Sequence, residues 1–216
     1  LDYLIPALRR AKLSTEVWAG TFRSFTGNQA LECLTDDRFR DSVAGFGFQY
    51  TNAEQLHDLR QIDPHMPIMH TETVCYKGDN TDVQAMALFY DFVDYMKAGS
   101  TVFTYWNMVL DETSRSSWGW RQNSLINVDR ELGTTTYNSD FHVMKLLSSH
   151  VKPGAQRVGA FCWATPTIAF ENPDGDVVAF LYNKGRKQDA VIELDGKRQD
   201  YTLPARSLVA VKLDAS

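Results

Sequence analysis

The chain has 216 residues, of which 44% are hydrophobic and 23% are charged, a composition typical of a folded globular protein. The formal net charge is -5, and the Lys and Arg residues are scattered along the chain, so nucleic-acid binding is not predicted. The sequence has no run of eighteen apolar residues and no signal-peptide pattern, and no transmembrane segment is predicted.

The first two thirds of the chain alternate strand-like and helix-like segments. Apolar runs predict strands over residues 15–21, 42–50, 67–71 and 101–106. Between them, helical patterns cover residues 53–62 and 82–98, while 27–40 fits a helix or a loop. Asp82 is the predicted N-cap of the long helix, and Gly99 ends it. This order predicts parallel βα units, and four such strands make half of an eight-stranded barrel.

Residues 1–11 read as the middle or end of an amphipathic helix without a cap, so we expect a further segment upstream. A last helix is predicted over 139–150, capped by Ser139. After Pro153-Gly154 the pattern changes to short strands separated by turn signals such as Asn172-Pro173-Asp174-Gly175. These strands are predicted over 157–164, 167–171, 177–182, 190–194, 200–203 and 207–213. The sequence therefore predicts an α/β domain over 1–150 and an antiparallel sheet or sandwich over 151–216, with the boundary near 151–156.

Cysteine and histidine spacing gives no sign of a metal site. Cys33, Cys75 and Cys162 lie far apart, fit neither a zinc pattern nor a disulfide framework, and are predicted to be small buried hydrophobes. The five histidines show no HExxH or similar pairing. No metal and no cofactor are predicted.

Glu72 is the first candidate for a catalytic residue. It follows the apolar run Pro67-Ile68-Met69, between Thr71 and Thr73, and ionisable residues at the ends of buried strands lie where α/β enzymes keep their chemistry. The alternative is that Glu72 caps a helix or pairs with a surface cation. The position alone leaves both open.

Four segments in order resemble glycoside hydrolase family 30, the glucosylceramidase-like enzymes. They are His70-Thr71-Glu72-Thr73, Tyr105-Trp106-Asn107-Met108-Val109-Leu110-Asp111, Trp118-Gly119-Trp120-Arg121-Gln122-Asn123-Ser124, and Val151-Lys152-Pro153-Gly154-Ala155-Gln156-Arg157-Val158-Gly159. The resemblance implies a (β/α)8 TIM barrel with an attached β-sandwich, of which this chain holds the last four barrel strands. It also implies a retaining β-glycosidase with Glu72 as the nucleophile.

The same resemblance implies which residues bind the sugar. These substrate-binding candidates are Gln49, Tyr50, Trp106, Asn107, Trp120 and Asn123. Trp18 and Thr21 are either wall residues or packing residues, and packing is favoured for Trp118. His70 is predicted to be a hydrogen-bonded core histidine, and Asp111 and Glu112 are predicted to start a solvated loop, with Asp111 as a backup carboxylate.

The implied substrates are β-glucosides such as glucosylceramide or a β-glucan. A β-xylosidase or β-1,6-glucanase of the same family is an alternative, and so is a non-catalytic carbohydrate-binding chain, which the 12% aromatic content would suit. The family's acid/base Glu lies in an Asn-Glu-Pro motif that this sequence lacks. The resemblance favours an extracellular or lysosome-like location.

A half barrel would leave an apolar face open to water. We expect the missing N-terminal half, or a second copy of the chain, to cover it. The residues predicted to form this face are Val17, Ala19, Phe46, Phe48, Ile68, Val102 and Phe103.

Overall fold

The computed structural model describes residues 1–23, 27–50 and 53–213. The chain divides into two compact units, each formed by more than one segment. The first unit comprises residues 1–78, 94–108 and 115–123, and the second comprises 79–93, 109–114 and 124–216. The domain boundary near 151–156 stays a prediction, and the second unit takes in residues that precede it.

A parallel four-stranded sheet forms the centre of the first unit. Its strands are β1 (Trp18–Arg23), β2 (Gly45–Gln49), β3 (Ile68–Glu72) and β4 (Ser100–Phe103), in the order β1-β2-β3-β4. All three neighbouring pairs are parallel, which confirms the prediction of parallel strands from the apolar runs. The first strand begins at Trp18, three residues later than the sequence indicated.

Helices follow the strands in the predicted alternation. They are α1 (Leu4–Arg10), α2 (Gly27–Thr35), α3 (Asp37–Arg40), α4 (Ala53–Ile62), α5 (Asp82–Lys97) and α6 (Ser139–His150). Both predicted caps are wrong by one residue. The amide of Gln84 donates to Thr81 Oγ1 (3.3 Å) and the amide of Thr81 to Gln84 Oε1 (3.1 Å), so a Thr81–Gln84 capping box starts α5. The N-cap of α6 is Asn138, because Ser139 is already the first residue of that helix.

The apolar face of the parallel sheet packs within its own unit. Phe46, Phe48 and Ile68 are almost fully buried and share one core cluster with Leu34 of α2 and Leu56 of α4. These phenylalanines, Ile68 and Ala19 were predicted to be covered by a missing segment or a second copy, whereas in the structure neighbouring helices of the same chain cover them. Of the predicted face, Val102 is exposed, while Val17 and Phe103 are half-buried.

The opposite face of β2 carries glycines because the neighbouring strands approach it closely. Side chains alternate along a strand, so Gly45 and Gly47 point away from the side of Phe46 and Phe48. A Cβ at Gly47 would lie 2.9 Å from Thr71 Cγ2, and one at Gly45 would lie 2.4 Å from Trp18 Cζ3. Larger side chains would push the strands apart, so glycine keeps the sheet closely paired.

The second unit holds a small sheet that the sequence did not predict. Its strands are β5 (Val109–Asp111), β6 (Ile126–Asp129) and β7 (Thr134–Tyr137). Asp111, predicted to start a solvated loop, ends β5 instead, and its carboxylate pairs with Arg130 at 2.9 Å. Arg130 also binds Glu112 at 2.7 Å, and hydrogen bonds from Arg130 lower the pKa of the Glu112 carboxyl to about 2.

The remaining strands are antiparallel, as predicted. They are β8 (Gln156–Val158), β9 (Thr167–Glu171), β10 (Val177–Asn183), β11 (Gln188–Leu194), β12 (Lys197–Leu203) and β13 (Ser207–Leu213). One sheet has the order β13-β10-β9-β8, and β11 pairs with β12. The turn at Asn172 closes as expected, with the Asn172 amide bonded to the Asp176 carbonyl at 2.8 Å. The predicted strand over 157–164 ends at Val158, and Phe161 and Trp163 beyond it are exposed.

Two further features of the described residues bear on the sequence predictions. Cys33, Cys75 and Cys162 are free, but each is only half-buried, so the prediction of buried cysteines is wrong. None of the helices within 1–23, 27–50 and 53–213 has the length and apolar character needed to cross a membrane.

Candidate functional site

The candidate nucleophile Glu72 ends β3 and is held by a tyrosine from the neighbouring strand end. Gln49, the last residue of β2, lies in register with Glu72, and Tyr50 follows it directly. The Tyr50 hydroxyl donates a hydrogen bond to Glu72 Oε1. Glu72 and Tyr50 are both half-buried, so the pair is partly screened from water and still reachable from outside. Two adjacent parallel strands thus deliver a carboxylate and its donor to one point.

The backbone at Tyr50 makes this contact possible. Tyr50 has φ +52°, a left-handed conformation that turns the chain at the end of β2. Arg23 at the end of β1 lies over the phenol ring, with its Cζ 5.2 Å from the ring centroid. Burial, and after it the hydrogen bond to Glu72, raises the pKa of the Tyr50 phenol well above its ordinary value. Tyr50 therefore remains a protonated donor throughout the neutral pH range.

The loop after Glu72 is fastened to two other loops of the same unit. Thr73 is buried, and its Oγ1 accepts the amide of Trp106 at 3.1 Å. The Cys75 carbonyl accepts the amide of Asn123 at 2.7 Å. Cys75 Sγ lies 3.4 Å from Gln122 Nε2, and burial, with the nearby Glu72 charge adding to it, raises the pKa of the Cys75 thiol. These bonds fix the chain that follows the candidate nucleophile.

Asn107 and Asn123, both predicted to contact the sugar, bind protein groups in this structure. Asn107 has φ +64°, and its Nδ2 donates to Gln122 Oε1 at 2.9 Å and to the Asn123 carbonyl at 3.3 Å. Asn123 is 0% exposed and accepts the Gly78 amide at 3.1 Å. Both side chains position the loops around the site. Gln122 was not predicted, although it stands in the same short polar run as Asn123.

Three tryptophans of the first unit are exposed. Trp106 is 41% exposed, Trp118 is 75% exposed and Trp120 is 60% exposed. Trp118 and Trp120 lie on a tight turn in which the Ser116 amide donates to the Trp120 carbonyl at 2.9 Å. Their rings meet edge to face at 5.4 Å. The expectation that Trp118 is a packing residue is wrong, because the turn holds it in solvent with Trp120 as its neighbour.

His70, just before the site on β3, is a core histidine as predicted. It is 2% exposed, its ring stacks on Phe103 at 4.1 Å, and the Tyr95 ring meets its edge at 4.3 Å. The Thr104 amide donates to His70 Nδ1 at 3.3 Å. Burial lowers the pKa of His70 to about 4, so the ring is neutral near pH 7.

Trp18 and Thr21 on β1 also make contacts within the sheet. Trp18 packs against Gly45, and its indole nitrogen donates to Glu16 at 3.1 Å. Thr21 Oγ1 and Thr71 Oγ1 form a hydrogen bond between β1 and β3, across the glycine face of β2. For Trp18 these contacts favour packing over a role in the wall.

The described side chains supply the parts of a nucleophilic site and no metal centre. Over residues 1–23, 27–50 and 53–213, no three His, Cys, Asp or Glu side chains are grouped closely enough to hold a metal ion. What the arrangement offers is one carboxylate at a strand end, a phenol that orients it, and exposed indole rings in the same unit. A carboxylate held in this way can attack an electrophilic carbon or support a positive charge.

Comparison with known proteins agrees with the sequence resemblance. Residues 154–211 match the model of the glycosyl hydrolase family 30 beta sandwich domain. No curated protein sequence matches the chain. The resemblance to family 30 that the sequence predicted is confirmed for the C-terminal part.

Solved structures share the fold over nearly the whole chain. SrfJ from Salmonella typhimurium has a TM-score of 0.89 at 19% identity, over 100% of this chain and 51% of SrfJ. The endo-β1,6-glucanase BT3312 has a TM-score of 0.85 at 21% identity, over 98% of this chain and 51% of that one. The catalytic domain of the GH30 xylanase C from Talaromyces cellulolyticus has a TM-score of 0.70 at 15% identity, over 96% of this chain and 54% of the xylanase chain. The chain spans about half the length of these structures.

Proposed function

We propose that this chain is part of a retaining β-glycosidase of glycoside hydrolase family 30, with its parallel sheet as half of a (β/α)8 barrel and Glu72 as the nucleophile. The observation that carries the proposal is the position of Glu72 at the carboxyl end of β3, fixed by the Tyr50 hydroxyl. Catalytic residues of such barrels lie at that end of the strands. The family match at 154–211 and the shared fold support the same assignment.

The geometry suits the first step of a retaining mechanism. A nucleophilic carboxylate attacks the anomeric carbon, the glycosidic C–O bond breaks, and a covalent glycosyl ester remains until water hydrolyses it. Because Tyr50 donates to Oε1, Glu72 Oε2 is left for the attack. Tyr50 keeps the carboxylate from rotating, so less entropy is lost when Glu72 adopts the reactive orientation.

The proton donor of this reaction would lie outside the residues described above. A retaining site needs a second carboxyl group about 5 Å from the nucleophile. The 216 residues contain no Asn-Glu-Pro motif, and Asp111 is paired with Arg130. We therefore assign the acid/base to a polypeptide segment other than these residues, in line with the half-length coverage of the solved relatives.

A β-glucan or another β-glucoside is the substrate we favour. The endo-β1,6-glucanase BT3312 matches this fold with a TM-score of 0.85, compared with 0.70 for the xylanase. Exposed Trp118 and Trp120 would offer flat apolar surfaces to pyranose rings. The same exposed rings favour a second candidate, a carbohydrate-binding role without catalysis.

Burst kinetics of the purified chain would test the proposal. Dinitrophenyl β-glucoside has a leaving group that needs no protonation, so Glu72 can form the ester without the acid/base. We expect a burst of up to about one equivalent of dinitrophenolate, followed by slow turnover that azide accelerates as it forms β-glucosyl azide. Methyl β-glucoside should not be cleaved.

Three controls define the outcome. Glu72→Gln should abolish the burst, whereas Glu54→Gln, a change at an exposed helix residue, should preserve it. Dinitrophenyl β-xyloside compared with the β-glucoside separates the two specificities. A burst that persists in Glu72→Gln contradicts the assignment, and saturable glucan binding without any burst favours the carbohydrate-binding role.

A further inference from the structure

A groove of about 900 Å³ lies entirely within the second unit. It runs between the first turn of α5, one face of α6 and the strands β10 and β13. Small-molecule sites occupy roughly 300 to 1,000 Å³, so the groove has the size of a ligand site. None of its lining residues belongs to the candidate catalytic site described above.

The floor of the groove is apolar. Ala85 of α5 and Val143 of α6 are buried, and Met86, Leu146 and Leu208 are half-buried around them. Val143 and Leu146 are three residues apart, so both project from the same side of α6. Partly exposed aliphatic side chains grouped in a concave site gain free energy when a ligand displaces water from them.

Positive charge surrounds this floor. The lining residues include Lys145 of α6, Lys184 after β10 and Arg206 before β13, whereas Asp82 is the one carboxylate among them. Asp82 Oδ1 accepts the Ser139 hydroxyl at 2.6 Å. Lys184 Nζ is held 5.4 Å from the Tyr90 ring centroid. The chain as a whole has a net charge of -5, so the positive lining of the groove has the opposite sign to the net charge of the chain.

We infer that the groove binds an amphiphilic carboxylate, a small molecule with one anionic end and an aliphatic chain. The aliphatic chain lies on Met86, Leu146 and Leu208, and the carboxylate faces Lys184 and Arg206. Exposed charges contribute little in water because solvent and salt screen them, so the apolar chain supplies most of the affinity and the cations select the sign of the head group.

Calorimetry with the full chain tests this inference. The probes are butanoate, hexanoate and octanoate at low salt, below their micelle concentrations, with octyltrimethylammonium as the cationic counterpart. We expect saturable binding at one site, an affinity that rises with chain length by up to about fourfold per methylene, and weaker binding of the cation. Added salt should weaken carboxylate binding.

Matched variants locate the binding. Lys184→Gln/Arg206→Gln should weaken octanoate binding by roughly fivefold. Lys187→Gln/Lys197→Gln removes the same charge at exposed positions outside the groove and should leave the affinity unchanged. Leu146→Asn should weaken binding as well, by removing part of the apolar floor.

Two outcomes would overturn the inference. One is the absence of saturable octanoate binding, or equal affinity for octanoate and the cationic analogue. The other is an equal loss of affinity in the groove variant and in the control variant. Because the assay measures no hydrolysis, its result is independent of the proposed glycosidase function.

Discussion

Removing the Tyr50 hydroxyl should slow the attack by Glu72 without unfolding the protein. Tyr50→Phe deletes the hydroxyl that donates to Glu72 Oε1 and keeps the aromatic ring beneath Arg23. A hydrogen bond to a charged group contributes about 1.5 to 3 kcal/mol. Both residues are half-buried, so water can replace part of the bond and the lower value applies. At about 1.4 kcal/mol per factor of ten, the expected loss in rate is about tenfold.

Stopped-flow measurement of the dinitrophenolate burst gives this rate directly. The burst rate constant of Tyr50→Phe should fall about tenfold while the burst amplitude stays the same, because the nucleophile is still present. Tyr137→Phe, a change at an exposed tyrosine of β7, is the matched control and should react like the unmodified chain. A burst rate within twofold of the unmodified chain would refute the orienting role of Tyr50.

Four further substitutions test the exposed tryptophans, the buried histidine and the packing at Gly99. Trp118→Ala and Trp120→Ala should each weaken β-glucan binding by about tenfold, as measured by affinity electrophoresis. Both rings are mostly exposed, so the melting temperature should stay within about one or two degrees of the unmodified chain. A large loss of thermal stability would instead indicate core packing. The buried neutral His70 has a folded pKa of about 4, below its unfolded value of about 6.5, so its contribution to stability is full above pH 6.5 and is lost as pH falls toward 4. The free energy of unfolding in urea should fall by about 1.4 kcal/mol for each pH unit of acidification across that window, relative to the His70→Gln variant. Parallel pH profiles of the two proteins would exclude this effect. Gly99→Ala should lower the free energy of unfolding by about 2 kcal/mol or more in the same assay, because Gly99 has φ +91° and a Cβ would lie 2.5 Å from the Arg60 guanidinium. An unchanged free energy of unfolding would contradict the close packing at Gly99.

The alternation of apolar runs and helical patterns was enough to predict the parallel sheet. Near-continuous runs such as Ile68–Thr71 indicate strands covered on both faces, and the order of helices between them fixes the parallel direction. The strands β5, β6 and β7 were not predicted because they are only three or four residues long. Their residues are all half-buried or exposed, so the sequence lacks the alternation of apolar and polar residues that indicates a strand with one buried face. The parallel pairing of β5 with β6 joins segments separated by residues 112–125, whereas β6 and β7 form a hairpin.

Which face a side chain occupies could not be read from the apolar runs alone. Phe46 and Phe48 look like barrel lining in the sequence, but the structure turns them toward the helices and leaves Gly45 and Gly47 on the other face. Register between strands decides this, since a shift by one residue exchanges the two faces.

Parts of the candidate site follow from strand ends, and parts do not. Glu72 was predicted from its position at a strand end, Gln49 and Tyr50 were implied by the family resemblance, and the structure brings Tyr50 onto Glu72. The role of Gln122, and the engagement of Asn107 with it, depend on loops that meet only in three dimensions. The exposure of Trp118 likewise results from a turn that composition does not reveal.

Trapping the glycosyl ester would identify the nucleophile. 2-Deoxy-2-fluoro-β-D-glucosyl fluoride glycosylates a retaining nucleophile through departure of fluoride, and its fluorine at carbon 2 slows hydrolysis of the ester. Mass spectrometry of the digested chain should find one added fluoroglucosyl group on the peptide that contains Glu72, and none in Glu72→Gln. A label on any other residue, or an unmodified protein under conditions that give a burst, would contradict the assignment of Glu72 as the nucleophile.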